Sequence, residues 1–146
     1  MYKKNFTPLQ KNLFLGSSVL GFVLIDQVIK YWVSENRPDF SIFSWLQIVY
    51  AENYGIAFSL PVTGIVTIVL TFVVLAVMVR WWKQTGWNTP FVLLFAGAIG
   101  NLIDRVFRGF VVDYVAVGGF PIFNLADACI TIGVALLLWY EVKNSP

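Results

Sequence analysis

Four long apolar stretches, each near the twenty or so residues that carry a helix across a bilayer core of about 30 Å, set the reading of this chain. They run from Leu13 to Val33, Val62 to Trp82, Trp87 to Ile103 and Ile122 to Tyr140. The first is apolar up to Ile25 and then carries Asp26 and Lys30, and the second is free of charge from Val62 to Val79. The third stays apolar to Asn101, and the fourth is broken only by Asn124 and Asp127. Tyr31, Trp32, Trp81, Trp82, Trp87, Trp139 and Tyr140 stand near the ends, where interfacial aromatic belts form. No A-x-A-like cleavage site follows Ile25, so the first stretch reads as an uncleaved span rather than a secretory signal.

Between the spans the pattern changes. Phe40–Leu60 mixes aromatic, β-branched and small residues, which predicts short strands with Asn53-Tyr54-Gly55 as a turn. Asp104–Pro121 contains a second strand-like run ending in Gly118-Gly119. These features predict an all-α membrane protein: a single domain over 1–146, four transmembrane helices, and strands from the outward loops.

An even number of spans puts both termini on one side. That side holds Lys3, Lys4, Lys11, Arg80, Lys83 and Lys143, against Lys30, Arg37, Arg105 and Arg108 on the other. The bias, concentrated ahead of the first span, predicts cytoplasmic termini. Asp26, Glu35, Asp39, Glu52, Asp104, Asp113 and Asp127 then gather at or near the outer face, the mark of a polar site built there.

Composition narrows the chemistry. The 146 residues are 58% hydrophobic and 12% charged, about half the charged share of an average soluble domain. A net charge of +2 gives no reason to expect nucleic acid. Histidine is absent and Cys129 is the only cysteine. Imidazole metal sites, Ser-His-Asp and Cys-His catalysis, an intrachain disulfide and a CxxC redox pair are therefore excluded. No metal or other cofactor is implied.

Two carboxylates stand out among what remains. Asn124 suits the N-cap of the fourth span, which puts Asp127 at N3, near the positive end of the helix dipole. A capping role and a functional one are both open for it, because a carboxylate at membrane depth is costly and usually functional. Asp113 sits in an apolar segment that raises a carboxyl's proton affinity; taken alone, it also reads as a water-facing turn residue. Brought together, the two would share a proton, one activating water while the other serves the scissile carbonyl. Asp127 is then the more acidic partner and Asp113 the more readily protonated one.

Other polar residues fall into sets. Asn101, Asp104 and Arg105 share one helix face by their i, i+3, i+4 spacing, behind the small pair Ala96 and Gly100 suited to close helix contact. They read as a shelf for substrate backbone and lipid phosphate, or as inter-helix bonding with a snorkelling arginine; Asp104 can also pair with Arg108. Asp26 and Lys30 are an i, i+4 pair with the acid first, either an internal ion pair or a device that positions loops or headgroups.

Five segments occur in a telling order: Asp26-Gln27-Val28-Ile29-Lys30, Asn53-Tyr54-Gly55-Ile56-Ala57-Phe58, Gly97 to Arg105, Val111-Val112-Asp113-Tyr114, and Phe123-Asn124-Leu125-Ala126-Asp127. With the four spans, they resemble the signal peptidase II family from first span to last. The resemblance implies a bacterial plasma-membrane endopeptidase that cuts prolipoproteins before a diacylglyceryl-modified cysteine and is sensitive to globomycin. It implies Asp113 and Asp127 as catalytic residues, and Asp26, Lys30, Asn53, Asn101, Arg105 and Asn124 as substrate-binding ones. It also implies a small extracytoplasmic sheet and an interfacial helix from the first outer loop. The rival reading is a small four-span transporter or channel subunit with outer-face carboxylates; its difficulty is that no charge falls near the middle of a span. A non-catalytic assembly or lipid-binding protein is the other.

Overall fold

A computed structural model describes residues 7–55, 64–85 and 89–144. Its helices are α1 (Pro8–Asn36), α2 (Gly64–Thr85), α3 (Thr89–Phe107) and α4 (Leu125–Asn144), and its strands are β1 (Phe40–Phe43), β2 (Leu46–Asn53) and β3 (Val111–Val117). All four helices are long and apolar enough to cross a membrane.

All four helices differ in extent from the predicted spans: α2 runs on to Thr85 instead of stopping at Trp82, and the other three differ for a local reason. α1 begins earlier because Thr7 and Gln10 form a reciprocal capping box ahead of Pro8, satisfying N–H groups that a helix start leaves orphaned. It ends where Arg37 turns left-handed and donates its N–H to the Val33 carbonyl. α3 continues past Ile103 to Phe107 because Asp104 lies buried against α1 instead of entering a loop. Gly109, at φ 83°, then supplies the positive φ that turns the chain away. α4 starts at Leu125 rather than Ile122, with Asn124 as its cap.

α3 is the axis of the bundle. In its span window 61% of residues are buried, against 11–17% in the other three. The outward apolar surfaces of α1, α2 and α4 have the exposure that a bilayer, not water, can cover. Packing against α3 is closest along α4: a Cβ added at Gly97 would overlap the Ala126 carbonyl and Ile130, and one at Gly100 would meet Asp26 Oδ2. The close contact anticipated for Ala96 and Gly100 is therefore centred on Gly97 and Gly100, with Ala96 buried beside them. Met78, Phe91, Leu94 and Phe95 fill the lower core between α2 and α3.

The strands form one antiparallel sheet in the order β1-β2-β3. Ala51 pairs with Asp113 and Asn53 with Val111, after an irregularity between Ile48 and Ala51. Val33, Val112 and Tyr114 anchor this sheet to α1, with Leu125 of α4 packed against them. The Asn53-Tyr54-Gly55 turn forms as predicted, the Gly55 N–H donating to Asn53 Oδ1 at 3.0 Å. Residues 37–55 of the first outer loop contain no helix. The remainder of that loop, where the implied interfacial helix could fall, lies outside the described residues. So do Lys3, Lys4, Ile56-Ala57-Phe58 and Trp87.

Candidate active site

The site is assembled around the start of α4. A helix N-terminus leaves N–H groups without intrahelical partners, and here three different elements supply them. Leu125 N donates to the Tyr114 hydroxyl at 3.1 Å, from β3. Ala126 N donates to Asp26 Oδ1 at 3.0 Å, from α1. Asp127 N donates to Asn124 Oδ1 at 2.9 Å, and Asn124 N returns to Asp127 Oδ2 at 3.3 Å, a reciprocal cap.

Capping spends only the oxygen of the Asn124 amide. Its Nδ2 donates to Asp113 Oδ1 at 2.6 Å and to Asn101 Oδ1 at 3.2 Å. Asn101 Nδ2 donates in turn to Asp127 Oδ1 at 2.7 Å, and Asn53 Nδ2 donates to Asp113 Oδ2 at 2.9 Å. Both carboxylates picked out from the sequence thus hang on one side-chain amide network, with Asn53, Asn101 and Asn124 as its donors. Asp113 is 2% exposed and Asp127 half-buried.

Burial raises the Asp113 carboxyl to about 6, and the nearby Asp127 charge adds to the rise; the Asn53 and Asn124 donors and Lys30 pull against it. This is the pattern of two carboxyl groups that cannot both ionise cheaply. Tyr114 is pushed up to about 12, chiefly by burial, so its hydroxyl keeps its proton while capping Leu125.

Behind the amides lies a buried charge cluster. Lys30 Nζ is 2.9 Å from Asp26 Oδ2, 3.0 Å from Asp104 Oδ2 and 2.9 Å from Asn101 Oδ1. Asp104 also pairs with Arg108 and accepts the Val112 N–H at 3.1 Å, tying β3 to α3. The Asp26–Lys30 and Asp104–Arg108 ion pairs anticipated from spacing are both formed. At 2% and 0% exposure, Asp26 and Lys30 face the site only through Asn101 and the α4 terminus. Arg105 reaches the Asn53-Tyr54-Gly55 turn, donating to the Gly55 carbonyl at 3.4 Å.

Some contributors were not singled out in the sequence. Gln27 bonds Asp26, the Gly100 carbonyl and Asp104; its place beside Asp26, one residue off the Lys30 face, was the available signal. Tyr114 was signalled only by being aromatic in an apolar run, where a buried hydroxyl needs a partner. Glu52 accepts from the Tyr50 and Tyr54 hydroxyls at 2.7 and 2.5 Å, a cluster along β2 and into the turn after it whose i, i+2, i+4 spacing, the period of a strand face, was the available signal. Among the described residues, no group of three or more Asp, Glu, Cys or His is placed to hold a metal ion.

Four spanning helices with a carboxylate pair at one end of the bundle, beside a small sheet, define the class as a membrane-embedded enzyme. Two solved structures described as bacterial membrane enzymes share the fold. One aligns with a TM-score of 0.82 and 32% identity over all of this chain and 96% of its own. The other has a TM-score of 0.79 and 34% identity over 90% of this chain and 96% of its own.

The particular family follows from the sequence comparisons. The family model described as signal peptidase (SPase) II matches residues 18–143. The lipoprotein signal peptidase of Bartonella henselae is 37% identical over 151 residues, covering 87% of this chain and 93% of its own. That of Brucella ovis is 41% identical over 138 residues, covering 82% and 83%. The chain belongs to the signal peptidase II family, and is a multi-pass bacterial membrane protease.

Proposed function

We propose that this protease is an aspartic endopeptidase that removes signal peptides from diacylglyceryl-modified prolipoproteins, cutting before the lipidated cysteine. The observation that carries the reading is the joining of Asp113 and Asp127 through Asn124 and Asn101, with Asp113 held near 6. Relatives named lipoprotein signal peptidase support the substrate class.

In the proposed reaction Asp127, ionised, takes a proton from water as the water oxygen bonds to the scissile carbonyl carbon. Asp113, protonated, gives its proton to the carbonyl oxygen, and a neutral tetrahedral gem-diol results. On collapse Asp127 returns its proton to the leaving amine nitrogen, and Asp113 regains one from a diol hydroxyl as the C–N bond breaks. Proton transfers of this kind each contribute about 10²–10⁴-fold.

Asn53, Asn101, Asn124 and Arg105 border the carboxylates and are the proposed substrate contacts, with Asp26 and Lys30 acting from behind. Lipid supplies binding: each buried acyl CH₂ contributes about 0.8 kcal/mol, and a signal helix can enter sideways from the bilayer. The orientation follows the positive-inside rule, with both termini cytoplasmic and the dyad at the extracytoplasmic face. Globomycin-type inhibitors would bind at the same carboxylates.

The test is purified protein in detergent with a diacylglyceryl-modified prolipoprotein and its unlipidated counterpart. The expected result is cleavage of the lipidated form only, abolished in Asp113→Asn and Asp127→Asn. Persistence of cleavage in either variant refutes the dyad. Failure of the wild type to cut turns attention to the transporter reading, for which ion flux in liposomes is the readout.

A further inference from the structure

Lys30 has no exposure, although it stands beside the site. An ammonium has three hydrogens and no acceptor, and all three have partners: Asp26 Oδ2, Asp104 Oδ2 and Asn101 Oδ1. Nothing remains for a substrate. The contact with Asn101 does have a consequence, because an amide side chain has one accepting and one donating end. A donor-only neighbour obliges Asn101 to turn its oxygen toward Lys30, which leaves Nδ2 facing Asp127 Oδ1 at 2.7 Å. The reversed amide would set NH₂ against NH₃⁺ and oxygen against carboxylate, two repulsions in a buried place.

Asn124 is oriented by the same logic from the other end. The Asp127 backbone N–H is a donor only, so it claims Asn124 Oδ1. Both hydrogens of Asn124 Nδ2 are then free for Asp113 Oδ1 and Asn101 Oδ1. Asn101 Oδ1 thus accepts from Lys30 and Asn124 together, using both lone pairs.

We propose that Lys30 is a positioning residue for the dyad: clamped between Asp26 and Asp104, it dictates the polarity of the Asn101 amide and so keeps an N–H donor on Asp127. The inference rests on the dyad reading above and assigns Lys30 an indirect role within it. Asp26 and Asp104 come from α1 and α3, so the clamp also registers these helices against α4.

The test combines kinetics with the amide signal itself. Lys30→Gln offers either a donor or an acceptor to Asn101, so the amide is no longer obliged to one orientation. The expected result is a fall in kcat of roughly 10- to 100-fold, the range for partners behind a site, with KM little changed. Asn101→Ala should lose as much, and the double variant no more than Asn101→Ala alone, because the two act along one path. In protein labelled with ¹⁵N-asparagine, the Asn101 Nδ2 hydrogens of the wild type should be slow to exchange and should shift on Asp127→Asn. Lys30→Gln should broaden or move the same signal.

A folded Lys30→Gln with full kcat, or strictly additive losses in the double variant, overturns the proposal. If Lys30→Gln does not fold, the wild-type spectrum decides: an Asn101 amide indifferent to Asp127→Asn overturns it equally. Cleavage that survives Asp127→Asn would instead refute the dyad, a separate outcome that the amide signal does not mimic.

Discussion

Asn124 Nδ2 lies 2.6 Å from Asp113 Oδ1, while the oxygen of the same amide accepts the Asp127 backbone N–H at 2.9 Å. One side chain therefore caps α4 and joins the two acidic residues. Capping needs only an oxygen; the bridge needs the nitrogen as well.

Those two duties separate by substitution. Asn124→Ala should cost about 1 kcal/mol through the lost cap and lower kcat at least about 10-fold through the lost bridge. Asn124→Ser, which keeps a capping oxygen, should recover most of the melting temperature in detergent and little of the kcat. Recovery of both would show that the bridge is dispensable.

The pH dependence follows from Asp113. Its proton is required in the proposed reaction, so kcat/KM should decline as pH rises through about 6. Asn53 donates to the ionised carboxylate and lowers its proton affinity; Asn53→Ala should move this limb to higher pH. A limb that stays put in Asn53→Ala, in a folded protein, would place the controlling titration elsewhere.

Stability should respond to the same group in a defined direction. Because the folded carboxyl lies above its ordinary 3.8, the native protein binds more protons than the unfolded chain between about 4 and 6. This contribution is full below that window and lost as pH rises through it. Thermal unfolding in detergent should thus occur at higher temperature at pH 5 than at pH 7.5, and Asp113→Asn should flatten the difference.

Gly97 tests the packing that brings α4 to the site. An added methyl would run into the Ala126 carbonyl, which is backbone, and into Ile130. Gly97→Ala should cost about 1–3 kcal/mol as overpacking does and should displace the Asn124–Asp127 segment, lowering kcat. Gly16, which has nothing within 4 Å, is the control position: Gly16→Ala should leave both unchanged.

Asp104 holds Lys30, Arg108 and the Val112 N–H at once. Breaking a buried pair by removing one partner costs about 3–5 kcal/mol, so Asp104→Ala should unfold at a much lower temperature in detergent. A shift within the scatter of a surface substitution would mean the cluster is worth far less than its burial implies.

The sequence by itself determined the parts that depend on neighbours along the chain. Four apolar runs of spanning length can only be helices in lipid, because every backbone polar group must be satisfied within the segment. The Asn124–Asp127 cap and the Asp26–Lys30 and Asp104–Arg108 pairs were legible because they lie three or four residues apart on one helix. Excluding imidazole chemistry, an intrachain disulfide and a CxxC redox pair needed only a count. Tertiary structure decided which of these local pieces meet: that Lys30 turns to Asn101, that Ala126 borrows Asp26 from a helix a hundred residues earlier, and that Asn53 reaches Asp113 across a strand pair. Such contacts are set by the close approach of α3 and α4 at Gly97 and by the register of β2 on β3. Neither is encoded in any local period, since both are chosen by what the whole bundle can bury together.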